Sequence, residues 1–269
     1  MITIIILVGV VSIIYQYRTQ VEEAYRAAGR AAAPLRSAVL PFPAGYRDIL
    51  NRYFPYYKKL SSGNRHSFEQ KLLYFILSKK WIPRQFDTVT DEMKVMISAC
   101  AVQLTFGLPR VYLQHFIGIV IYPDNYYSSI TKRFHKGEVN PAYHLIVLSW
   151  KSFVDGYLVH PTDAINVGLH ELAHALRLEN LIRNDEYRFF DEELLNKFDA
   201  YAYRICHEAD PELLFFRPYA CTNEHEFFSV AVENFFERPQ EFKTALPQLY
   251  EVLAKLLNQD PLVLTGDQK

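Results

Sequence analysis

One ten-residue stretch constrains this chain more than any other: residues 167–176 read VGLHELAHAL. Val167, Leu169, Leu172, Ala173, Ala175 and Leu176 surround the polar trio His170, Glu171 and His174, so the segment reads as a helix buried together with its polar residues. Thr162 or Asp163 is expected to cap its start. Buried imidazoles need partners. Residues four apart on a helix are turned by about 400° and raised about 6 Å, which puts His170 and His174 on one face, within reach of a single ion. This H-E-x-x-H spacing suits zinc. Glu171, one step from the first histidine, reaches the remaining side of that ion, where it can take a proton from a metal-activated water and pass it to a leaving amine.

Two histidines leave such a site unfinished, because a catalytic zinc takes three protein ligands and keeps one position open. The third is expected from Tyr219 to Pro239, YACTNEHEFFSVAVENFFERP, an apolar helix that Thr222 and Asn223 can cap. Spacing leaves four candidates, Glu224, His225, Glu226 and Glu233. Glu226 and Glu233 lie seven apart on one face, so one can bind the ion while the other supports a ligand histidine from behind.

The rest of the 269 residues supplies the frame. Net charge is −1, which lacks the basic excess of a nucleic-acid binder. The acidic groups concentrate in residues 161–269, with 20 acidic against 10 basic. Three cysteines, Cys100, Cys206 and Cys221, form no C-x-x-C pair, and their odd number predicts ordinary thiols rather than a disulfide framework. Asn64 is expected to cap a helix running to about Lys79, and Asp91 to open a core helix through Met93, Met96, Ile97, Cys100, Ala101 and Leu104. Phe116–Tyr122 and His144–Trp150 read as strands, and the signals from Thr162 onward are almost wholly helical. The fold class is therefore α+β, predominantly helical with a small β-sheet.

Residues 2–15 form an uncharged apolar run that would span about 21 Å as a helix. Residues 1–17 are expected to be an N-terminal membrane anchor, 18–45 a helical and Pro-containing linker, and 46–269 the catalytic domain. Arg18, Arg26, Arg30 and Arg36 follow the run, which places the body on the cytoplasmic side of the membrane. A cleaved signal peptide and a cytoplasmic protein are the alternatives.

The motifs VLSW at 147–150, LHELAHAL at 169–176 and the 219–239 stretch, with Pro247, Leu249, Tyr250, Leu253 and QDP at 259–261, resemble the Mlc titration factor A (MtfA) family of zinc-dependent peptidases. These are gluzincin-type enzymes related in their catalytic core to anthrax lethal factor. The resemblance implies a zincin-like domain holding one Zn2+ per chain on His170, His174 and Glu226, with Glu171 as general base. It also places Tyr219 where its phenol can donate to an oxyanion. The implied partners are a peptide or protein substrate, cleaved internally or at its N-terminus. The alternative is a regulatory binding protein that sequesters a transcriptional repressor or membrane partner. Arg177 stands where relatives carry Asp, with Glu179 two residues on. In such folds the strand before the metal helix, here 144–150, is expected to offer a free edge to an extended peptide.

Overall fold

The computed structural model describes residues 40–108, 111, 113–128, 132–182, 189–208 and 215–263. Two units divide the chain, Met1–Pro41 and Phe42–Lys269, and every element described below belongs to the second. The expected anchor and the helix over 19–33 lie outside the described residues. The expectation of a membrane-anchored protein is corrected, because among the described residues no helix is long and apolar enough to cross a membrane.

Three helices open the domain: α1 (Ala44–Tyr53), α2 (Pro55–Lys59) and α3 (Ser62–Ser78). Ser61 caps α3 by accepting the Asn64 N–H at 3.3 Å, so the cap lies three residues before the one expected. After β1 (Lys80–Pro83) comes α4 (Asp91–Thr105), with Thr90 as its cap. The residues predicted for the core face of α4 are all buried, as is nearly every other residue along it. It is the central helix.

Among the described residues, six strands make two sheets. β2 (Gly118–Tyr122) and β6 (Leu145–Ser149) are the two apolar runs read from sequence, and they pair in parallel with Ile119 opposite Ile146 and Ile121 opposite Leu148. All four side chains are fully buried. β1 adds in parallel to β2, and β5 (Gly137–Asn140) adds antiparallel to β6, giving the order β1-β2-β6-β5. β6 is thus an interior strand with a partner on each side. The free edge expected of it belongs to β5, whose four half-buried residues include one apolar side chain, Val139, too few to read as a strand. β3 (Tyr126–Ser128) and β4 (Arg133–His135) form a separate antiparallel pair just before that edge.

The C-terminal half is helical, as the sequence suggests: α5 (Trp150–Val154), a π-turn, α6 (Val167–Ile182), α7 (Glu192–His207), a 3-10 turn at Pro218–Thr222, α8 (Glu224–Glu237), α9 (Pro239–Ala245) and α10 (Pro247–Leu256). α6 packs on α8, α4, β5 and β6. Its cap is Asn166, whose Oδ1 accepts the Leu169 N–H at 2.9 Å. Asp163, expected in that role, instead accepts the Ile165 N–H at 2.9 Å and shapes the turn before it. The cysteines depart further from expectation. Cys206 at the end of α7 and Cys221 in the 3-10 turn form a disulfide, with Cα atoms 5.5 Å apart, while Cys100 is a buried thiol. Helix packing makes that pair, so no local spacing announces it.

Candidate metal centre

α6 presents His170 and His174 toward the first turn of α8, where Asn223 caps the helix by accepting the His225 and Glu226 N–H groups. The cap holds Glu226 with its carboxylate across from the two imidazoles. His170 Nε2 and His174 Nε2 lie 3.1 Å apart, and Glu226 Oε2 stands 3.0 Å from the first and 3.3 Å from the second. These three are the one cluster among the described residues with donor atoms close enough together for a metal ion. Bonds of 2.0–2.1 Å in a tetrahedral set put neighbouring donor atoms about 3.3 Å apart, so the triangle is the size zinc requires.

Glu233 stands behind His170. Its Oε1 accepts from Nδ1 at 2.6 Å, which turns Nε2 to the triangle. The same carboxylate accepts the Asn166 N–H at 2.8 Å through Oε2. Of the four acidic and imidazole candidates, then, Glu226 faces the histidines directly and Glu233 backs one of them. Glu224 is exposed, and His225 is turned toward it at 3.8 Å.

The electrostatics follow from burial against charge pairing. For His170, burial disfavours the imidazolium, but the Glu226 and Glu233 hydrogen bonds outweigh it and lift the pKa to about 10. His174 shifts downward because burial dominates. Glu226 is buried too, yet the two histidines hold its carboxyl well below the usual range. Glu171 has burial and three neighbouring carboxylates against it, relieved only by His170, and rises to about 7. A carboxyl with that value can both take and give a proton near neutrality.

Glu171 lies between α6 and the start of β5, where Gly137 makes room for its side chain. Tyr219 is half-exposed, with its ring centroid 6.0 Å from that of His170, and burial together with Glu226 raises its phenol to about 12. Arg177 does not face the triangle. It is buried, donates to both Asp199 oxygens at 2.7 and 2.9 Å, and lies over the Phe228 ring, tying α6 to α7. Glu179 accepts the Gln114 and His115 N–H groups and anchors the loop before β2.

The sequence reading brought together His170, Glu171, His174, Tyr219 and Glu226, and the fold gathers all five. It missed Asn166 and Gly137, whose parts depend on contacts with distant elements.

The family model for glucose-regulated metallo-peptidase M90 matches residues 28–257. The chain belongs to that family. An uncharacterised protein of Synechocystis is 28% identical over 242 residues, covering 83% of this chain and 86% of that relative. The Mlc titration factor A of Pectobacterium atrosepticum is 26% identical over 211 residues, or 70% and 76% of the two chains. That of Yersinia pestis is 24% identical over 205 residues, or 68% and 73%. Membership in the M90 metallopeptidases implies a metal ion, and the triangle on α6 and α8 is the place among the described residues whose donors fit one.

Proposed function

We propose that the chain is a zinc-dependent peptidase. The observation that supports it most is the triangle of His170 Nε2, His174 Nε2 and Glu226 Oε2 with the buried carboxyl of Glu171 beside it. A zinc ion on those three residues would supply Lewis-acid chemistry to the scissile carbonyl and its attacking water. Glu171 takes the proton of that water and delivers it to the departing amine. Tyr219 donates its phenol hydrogen to the developing oxyanion. The free edge of β5 pairs with the extended substrate, since Gly137 sets that edge against Glu171 and β6 has none to offer.

Replacing Glu171 by Gln tests the reading. Peptide cleavage should fall by at least about 100-fold while zinc content stays near one per chain. Unchanged cleavage would refute it.

A second reading, a binding protein that captures a regulatory partner, draws on the name Mlc titration factor A carried by relatives. Tyr127 and Phe134, paired across β3 and β4 and 55% and 74% exposed, favour a protein partner near the site. Under that reading capture survives Glu171→Gln and no substrate is cleaved.

A further inference from the structure

The carboxylate of Glu233 is almost completely buried and receives four hydrogen bonds, two on each oxygen. Oε1 accepts from His170 Nδ1 at 2.6 Å and from Arg217 Nη2 at 2.7 Å. Oε2 accepts from the Asn166 backbone at 2.8 Å and from Arg217 Nη1 at 3.0 Å. A guanidinium forked onto a carboxylate fixes its plane as well as its charge. We infer that Arg217 is a positioning residue for the metal centre: its fork fixes the plane of the Glu233 carboxylate and aims it at Nδ1, and so fixes the ring of His170. The inference rests on the zinc-peptidase reading above.

Two further contacts hold Arg217 in place. Nη1 also donates to the Ala164 carbonyl, in the turn that leads into α6. The backbone of Arg217 lies within the loop closed by the Cys206–Cys221 disulfide, four residues before Cys221 and two before Tyr219. The bridge thus tethers the segment that delivers both the fork to Glu233 and the phenol to the rim of the site. Loss of Arg217 leaves a buried carboxylate held by the His170 ring and the Asn166 amide.

Zinc affinity by chelator competition, the absorption of the cobalt(II)-loaded protein and melting of the metal-free protein should be measured on the full chain for wild type, Arg217→Lys and Arg217→Gln. Arg217→Gln should bind zinc about tenfold more weakly and shift the cobalt spectrum. Arg217→Lys, which keeps the charge and loses the fork, should fall between it and wild type. Wild-type affinity and spectrum in Arg217→Gln would overturn the inference, as would wild-type affinity and spectrum in Arg217→Lys. If melting shows Arg217→Gln unfolded, the lysine variant decides: a shifted cobalt spectrum supports the inference and an unshifted one overturns it. A wild type that takes up no zinc overturns the peptidase reading and this inference with it; equal affinities in a zinc-binding pair overturn this inference alone.

Discussion

Gly137 and Glu171 are in contact across the gap between β5 and α6: a methyl group on Gly137 would sit 2.4 Å from Glu171 Cγ and 2.7 Å from Oε1. The backbone there has no positive φ, so the demand for glycine comes from close approach alone. Gly137→Ala should displace Glu171 or push the strand edge outward while leaving His170, His174 and Glu226 untouched. We expect zinc content to hold and peptide turnover to drop about 100-fold, measured with one metal analysis and one rate per variant.

Arg177 is buried against Asp199, whose side chain keeps 32% of its exposure. Removing the carboxylate strands a guanidinium between α6 and α7. Asp199→Ala should lower stability by about 3 kcal/mol in urea unfolding. Arg177→Met, which fills the space without the charge, should cost less than Asp199→Ala.

The Cys206–Cys221 bridge spans 15 residues of sequence. Closing a loop of that size stabilises a fold by about 3 kcal/mol. Thermal unfolding should therefore shift downward on adding a strong phosphine reductant, and the double Cys206→Ser, Cys221→Ser variant should melt at the reduced temperature with or without it.

Glu237 accepts the Ala164 N–H at 2.9 Å and Asn166 Nδ2 at 2.9 Å, but burial still pushes its pKa from 4.5 to about 7. The folded state therefore binds the proton more tightly than the unfolded one. Stability is lost as pH rises from about 4.5 through about 7, and the loss is complete above that window. The difference in unfolding free energy between wild type and Glu237→Gln should change across this range and be level above it. A difference that stays constant from acid to neutral pH would contradict the shift.

Short-range signals carried much of this. The α6 trio and its apolar surround, the strands β2 and β6, and the Asn223 cap are written in neighbouring residues, and the structure has the helix, the strands and that cap where periodicity and local residue type put them. Three features are written elsewhere. β5 reads Gly-Glu-Val-Asn, and only its pairing with β6 makes it a strand, so the free edge lies one strand before the one the sequence points to. The sequence offers Thr162 and Asp163 as caps, but a cap is chosen by where the helix begins, and Asn166 holds that place with its backbone N–H bonded to Glu233 of α8. The disulfide joins two helix-end positions that meet only after α7 and α8 have packed.

The bonds around Glu233 also set when the site can come into being. Its partners His170 and Asn166 lie 63 and 67 residues away in the chain, so neither bond can form from local structure. α6 can wind early on its own propensity, but its capped start and the fixed imidazole wait for α8 to dock. Closing so long a loop belongs to the slow, non-local part of folding. Metal capture should accordingly appear late in refolding, after most helical signal has returned, making zinc uptake a clock for the final docking of two helices.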